Sequence, residues 1–192
     1  MFHSAIEAVI YLFIVITLGL MAFKAKAVDL GGSIASIFIG YLILLGGGPY
    51  WFIVMLVFFV ISTQFTKFRY NYKEQLGFAQ ERRGARSWTN VLANGGAAAL
   101  FSIMEFRFGG WIFAGAFLGA IASATADTLA TEIGLLSKKE PRLITNLKKK
   151  VLMGTSGGVT LIGTMAAFFA SFLIGITATI LKIMEDALPI NI

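Results

Sequence analysis

The stretch Ala5–Phe23, AIEAVIYLFIVITLGLMAF, decides the fold class. Its only charge is Glu7, and it is close to the roughly 20 helical residues needed to cross a hydrocarbon core. Ala25-Lys26-Ala27 behind it has the small-x-small look of a cleavage site. However, the run lacks a basic leader and is too long for the apolar part of a signal peptide, so it reads as a retained helix. Further apolar runs follow at Leu30–Leu45, Tyr50–Phe65, Thr89–Ile103, Trp111–Leu136 and Gly157–Leu181. The second, third and fourth spans are short in apolar count and need flanking polar residues to complete a crossing. The predicted architecture is all-α: one transmembrane domain over residues 1–192, a polytopic bundle of about six helices.

Composition agrees. Hydrophobic residues make up 57% of the chain and charged residues 14%, whereas a soluble domain keeps about a quarter of its residues charged. Glycine is abundant, at 21 residues, as expected where membrane helices pack closely. The absence of cysteine excludes disulfides, thiolate metal sites and cysteine nucleophiles. The single histidine, His3, is terminal, which argues against histidine-based catalysis. The net charge of +6 does not point to nucleic acid, because the basic residues lie in short runs between apolar segments.

Those runs set an orientation. All of the 16 Lys and Arg residues except Arg107 and Lys182 fall in the segments 24–29, 66–88 and 137–156. By the positive-inside rule these are the cytosolic loops of a multi-pass cell-membrane protein, with both termini outside. The acidic Glu185-Asp186 pair and the interfacial Trp51 and Trp111 fit that arrangement.

Three glycine pairs, Gly31-Gly32, Gly95-Gly96 and Gly157-Gly158, are expected to open the helices that enter from the cytosol. One reading is close helix packing through small residues. The other starts from helix polarity: the unpaired N–H groups of these N-termini face one side, where backbone without Cβ atoms can approach a phosphate.

Several polar motifs stand near the same depth. In the fifth span Asp127 and Glu132 are intramembrane acids, which are costly and so read as functional by default. Five residues at 100° each put them about 140° apart on a regular helix, so sharing a face needs a bend, a π-bulge or an ion between helices. Asp127 shares its face with Ser123 and Thr131. The alternative is an acid paired with a basic loop residue, a reading that suits Glu132 better than Asp127. Asn90 and Asn94 stack on one face of the fourth helix, followed by Gly95-Gly96 and preceded by Arg82, Arg83 and Arg86. Such asparagines serve either as interhelical hydrogen bonds or as a pocket wall. Gly154-Thr155-Ser156-Gly157-Gly158, downstream of Lys148-Lys149-Lys150, suits an oxyanion nest. It equally suits a glycine turn with a hydroxyl helix cap, and the P-loop order is absent. Asp127, Asn94 and Gly157 each lie on the order of 10–15 Å from a basic loop, which predicts one cavity open to the cytosol. Acids, N–H groups and cations around an apolar rim suit a phosphorylated lipid.

The runs NVLANGG (Asn90–Gly96), ADTLATEIGLLS (Ala126–Ser137), PRLIT (Pro141–Thr145) and GTSGGVTLIGT (Gly154–Thr164) closely resemble a membrane-protein family of archaea, bacteria and eukaryotes. That family includes the plant phytyl-phosphate kinase and animal transmembrane protein nineteen, and in prokaryotes it is a domain-of-unknown-function family. Leu30-Gly31-Gly32-Ser33 fits an earlier family motif more loosely, and Leu152-Met153 stands where relatives often have prolines. The resemblance implies a kinase converting a prenyl monophosphate, of phytyl or geranylgeranyl type, to the diphosphate with CTP or ATP and Mg2+. On that model Asp127 and Glu132 hold Mg2+. Asn94, Asn90, Gly95, Gly96 and Gly154, Thr155, Ser156, Gly157 and Gly158 position phosphates, and Arg86, Arg142, Lys148 and Lys149 offset their charge. The implied partners are the isoprenoid lipid phosphate, the nucleotide, membrane lipid and a second copy of the chain. A transporter or flippase of a phosphorylated lipid or anion, or a non-catalytic membrane protein, would use the same sequence features differently.

Overall fold

The computed structural model describes residues 4–80 and 82–184; His3 and the Glu185-Asp186 pair lie outside them. Helix α1 (Ala5–Lys24) begins at Ser4 with a reciprocal cap. The Ser4 hydroxyl accepts from the Glu7 N–H, and the Glu7 carboxylate accepts from the Ser4 N–H. Both satisfy donors that the first helical turn cannot. Beyond the cap, α1 leaves Ile6, Val9 and Phe13 exposed and buries Val15 and Gly19, an apolar outer face suited to lipid.

Helix α2 (Leu30–Lys67) is N-capped by Asp29, which accepts from the Gly32 N–H at 2.7 Å. Its 38 residues would run about 57 Å if straight, nearly twice a hydrocarbon core. The helix breaks instead at Gly48, with φ 78° and ψ −171°, just before Pro49. Positive φ suits glycine, and proline removes a ladder donor and crowds the preceding turn. The arms 30–47 and 49–67 then fold back on one another. A Cβ built on Gly40 would stand 3.0 Å from the Phe52 ring, although residues 40 and 52 of a straight helix are about 18 Å apart. The spans expected at 30–45 and 50–65 are these two arms.

The short helix α3 (Tyr70–Gln75), a 3-10 turn at Arg82–Gly84, α4 (Trp88–Phe108) and α5 (Trp111–Gly134) follow. After them come strands β1 (Arg142–Leu143), β2 (Asn146–Lys150) and β3 (Gly158–Val159), and then helix α6 (Leu161–Ile180). Among the described residues, α1, α2, α5 and α6 have the length and apolar content to cross a membrane. In α4, Asn90, Asn94, Glu105 and Arg107 dilute that content; the helix packs on both α2 and α5. Small residues make these contacts close. A Cβ on Gly46 would lie 2.4 Å from the Ser102 backbone, and the Ser102 hydroxyl donates to the Ile43 carbonyl at 3.1 Å. Ile43, Val54, Ala98 and Ile121 are fully buried between these helices, and Trp51 meets Phe117 at 4.5 Å between ring centroids.

Two expectations change at the loop end of the bundle. The segment 137–156 is not featureless, since the three strands form an antiparallel sheet in the order β2-β1-β3. That sheet also shortens the last span, which begins at Leu161 rather than Gly157. Gly157 has φ +73°, and Gly158-Val159 pairs with β1, so this backbone is already committed to strand hydrogen bonds. Helix α6 then starts from Thr160, whose hydroxyl accepts from the Gly163 N–H. The glycine pairs therefore do not play a common role. Gly31-Gly32 sits in the first turn of α2, Gly95-Gly96 lies inside α4, and Gly157-Gly158 belongs to the sheet.

The basic segments meet at one end. Lys67 donates to the Ala25 carbonyl at 2.9 Å, and Val28 forms a parallel bridge with Arg86. Gly154 sits so close to Phe78 that a Cβ there would be 2.4 Å from the ring.

Candidate functional site

At this basic end a charged cluster is buried. Lys73 of α3 is 1% exposed, and its ammonium donates to Glu132 Oε2 of α5 at 2.5 Å. It also donates to the carbonyls of Phe65 and Thr66, at 3.1 and 2.7 Å, in the last turn of α2. A lysine has three N–H donors, and all are engaged. The cation also sits where the helix dipole of α2 is negative. Composition placed Lys73 among the loop lysines; its burial was not legible there.

Arg86 lies beside this pair. Its backbone is pinned by hydrogen bonds from its own N–H to the Ala27 carbonyl and from the Asp29 N–H to its carbonyl. Its side chain is 4% exposed and packs over the Phe58 ring, Cζ to centroid 5.3 Å. The guanidinium has no hydrogen bond or ion pair among the described residues. Burial pulls it down to about 10, and the charge of Glu132 partly opposes that, so it remains a cation at neutral pH.

Arg86 lines a half-open cavity of about 400 Å3 walled by α1, both arms of α2 and the start of α4. The walls are mostly apolar, with Val15, Leu18, Ile39, Phe52, Met55 and Phe59 among them. The polar residues Thr63, Gln64, Lys67, Arg86 and Asn94 cluster toward the basic end. The buried hydroxyl oxygens of Ser62, Thr63 and Thr66 have no hydrogen-bond partner among the described residues, and Thr63 lines the cavity. Neither Arg86 nor these hydroxyls could be singled out as unpaired from sequence, because a partner is a tertiary property.

The residues expected from sequence divide between surroundings. Arg86, Asn94 and Gly95 share the cavity. Asn94 also donates its amide to the Asn90 carbonyl at 2.9 Å, while Asn90 itself is exposed. A Cβ on Gly95 would meet Ile39 at 3.0 Å, whereas Gly96 has open space around it. Asp127 is exposed, with Ser123 and Thr131 exposed on the same face, and does not line the cavity. It has no hydrogen bond or ion pair among the described residues. Glu132, by contrast, is buried against Lys73. Helix α5 runs unbroken over Trp111–Gly134, so the two acids keep their angular separation. A Mg2+ ion shared by Asp127 and Glu132 does not fit this arrangement. Nor do three or more His, Asp or Glu side chains gather around a common point among the described residues.

The Gly154–Gly158 segment is a turn in the loop layer. The Thr155 N–H donates to the Leu152 carbonyl and the Gly158 N–H to the Thr155 carbonyl, so part of the expected nest is used internally. Ser156 is exposed. Arg142 donates to the Leu147 carbonyl at 2.6 Å, closing the β1–β2 hairpin, while Lys148 and Lys149 are exposed.

Residues 13–191 match the family model described as integral membrane protein DUF92. The chain belongs to this family. The DUF92 chain is 34% identical over 174 residues to an uncharacterized membrane protein of Methanocaldococcus jannaschii, covering 91% of the chain and 71% of that relative. It is 33% identical over 183 residues to protein PGR of Arabidopsis thaliana, covering 86% of the chain and 63% of PGR. It is also 33% identical over 146 residues to the chloroplastic protein VTE6 of Arabidopsis thaliana, covering 73% of the chain and 44% of VTE6. The chain thus spans less than two thirds of either plant relative. No solved structure matches it.

Proposed function

We propose that this DUF92 protein is a membrane-embedded isoprenyl-phosphate kinase, converting a prenyl monophosphate to the diphosphate with CTP or ATP and Mg2+ at the cytosolic face of the cell membrane. The observation that carries the reading is the apolar cavity whose basic end holds Arg86, Lys67 and Asn94. Apolar walls closed by a buried cation suit an amphiphile with an anionic head better than a sugar or a simple ion. The resemblance to the family that includes the plant phytyl-phosphate kinase supports the reaction class, as does the similarity to VTE6.

In that reaction an oxygen of the prenyl monophosphate attacks the terminal phosphorus of the nucleotide. The bond from that phosphorus to the bridging oxygen breaks, the nucleoside diphosphate leaves, and the new P–O–P linkage forms. Such a transfer asks the protein mainly for positioning and charge neutralisation. Arg86 and Asn94 suit the acceptor phosphate. The exposed Lys148 and Lys149, with the remaining free N–H groups of the Gly154–Gly158 turn, suit the nucleotide. Mg2+ is commonly held by one or two carboxylates together with substrate phosphates; Asp127, exposed on α5 outside the cavity, would contribute one such carboxylate, and the ion would supply neutralisation of phosphate charge.

Purified protein incubated with geranylgeranyl monophosphate, Mg2+ and either CTP or ATP is expected to release the prenyl diphosphate. Folded protein that yields no diphosphate with either nucleotide overturns the kinase reading. Passage of intact monophosphate into proteoliposomes would assign the cavity to transport instead.

A further inference from the structure

We infer that the cavity is a binding channel for a single-chain lipid monophosphate, with Arg86 and Thr63 as head-group ligands at its basic end and the tail running toward Gly40 and Phe52. This deepens the kinase reading, and rests on it only for the choice of a prenyl chain.

Two independent unpaired groups mark the head-group end. The Arg86 guanidinium is 4% exposed yet has no acceptor among the described residues. Leaving a buried charge without a hydrogen-bonding partner is costly, and Arg86 lines the cavity, where such a partner can enter. The aromatic ring of Phe58 and the more distant charge of Glu132 offset part of that cost; neither accepts a hydrogen bond from Arg86. Thr63 lines the same cavity, is 9% exposed, and has a hydroxyl without a partner. That hydroxyl makes no protein hydrogen bond that a rotation about χ1 toward the cavity would break. Both charged residues that line the cavity, Lys67 and Arg86, are cations; nearby, Asp29 donates its N–H to the Arg86 carbonyl and Glu132 is neutralised by Lys73. The cavity end is therefore net cationic, and a planar fork of N–H donors matches phosphate oxygens.

The shape of the cavity marks the tail end. Along the second arm of α2 the lining runs from Phe52 to Lys67, about 22 Å of helix. That length suits an extended lipid chain and exceeds what a free small anion needs. The far wall is formed where Gly40 meets Phe52 and Val15, each within 3.2 Å of a Cβ built on Gly40.

The test measures binding by the full chain in lipid nanodiscs, without nucleotide, so turnover plays no part. Geranylgeranyl monophosphate is expected to bind at least tenfold more tightly than either geranylgeraniol or inorganic phosphate. Arg86→Gln should weaken the monophosphate about 10- to 100-fold, with Arg86→Lys intermediate. Because Arg86 could also matter for folding, Thr63→Val provides the second variant. It removes an unsatisfied hydroxyl, so its thermal stability should equal or exceed wild type while monophosphate affinity falls several-fold. Equal binding of alcohol and monophosphate, or tight binding of inorganic phosphate alone, overturns the channel; so does unchanged affinity in both Arg86→Gln and Thr63→Val. Monophosphate binding without diphosphate formation would sustain the channel and defeat the kinase. Diphosphate formation that ignores Arg86 would do the reverse.

Discussion

The Lys73 ammonium and the Glu132 carboxylate form a buried pair that joins the segment after α2 to the basic end of α5. The two partners are unequally supported. Lys73 keeps the Phe65 and Thr66 carbonyls if Glu132 is neutralised, whereas Glu132 loses the ammonium that pairs it if Lys73 is removed. Breaking a buried pair from one side costs about 3–5 kcal/mol. Lys73→Met is therefore expected to approach that range, Glu132→Gln to fall clearly below it, and the double variant Lys73→Met/Glu132→Leu to recover most of the loss. Thermal unfolding of the four proteins in one detergent checks this; equal losses for both single variants would contradict the asymmetry.

Glycine substitutions should sort by what stands opposite them. A Cβ on Gly32 would be 2.2 Å from the Arg86 carbonyl oxygen, and one on Gly46 would be 2.4 Å from the Ser102 backbone. Backbone cannot step aside as a side chain can, so alanine at either position is expected to cost at least about 1–3 kcal/mol. Gly115 and Gly119 have open space around the corresponding position, and alanine there should be neutral or slightly stabilising through helix propensity. Melting temperatures of the four single variants provide the comparison.

Gly48 is open in space but not in conformation. With φ at 78° and ψ at −171°, it occupies an essentially glycine-only region that alanine enters at a cost on the order of 1–3 kcal/mol. Gly48→Ala is expected to lower stability or reopen the α2 hairpin. Cross-linking of cysteines placed at positions 40 and 52 would report the hairpin directly, and an unchanged cross-linking yield with unchanged stability would show that the break does not depend on glycine.

Asp127 is exposed and has no bond within the described structure, so Asp127→Asn should leave folding unchanged. Under the kinase reading it should remove most diphosphate formation. Normal turnover by that variant would remove Asp127 from the metal site.

Head-group binding should have a defined pH window. A phosphate monoester gains its second charge near pH 6, so affinity should rise through that value. Arg86, drawn down to about 10 by burial, is cationic below that pH and loses its charge above it; binding should therefore weaken as pH rises through about 10. Arg86→Gln should flatten the upper limb while leaving the lower one. Affinities measured from pH 5 to pH 10.5 decide the point.

Much of this molecule could be read along the chain. Apolar runs located α1, both arms of α2, α5 and α6 because hydrocarbon demands helices whose backbone is satisfied within each segment. The same logic missed the small sheet, whose strands are too short and too polar to announce themselves, and misplaced the start of α6. The depth of Asp127, Asn94 and Gly157 could be estimated from rise per residue, but depth does not say which way a side chain turns about its helix.

Sequence alone determined that the chain enters a membrane and where its helices lie, since burial of apolar residues in lipid is a local, additive property of each segment. Which charges are paired was decided only in three dimensions. Lys73 reaches Glu132 across 59 positions of chain, while Arg86, which sequence grouped with two neighbouring arginines, is left facing the cavity. A partner depends on how helices turn against one another, and that is settled by packing the whole bundle at once.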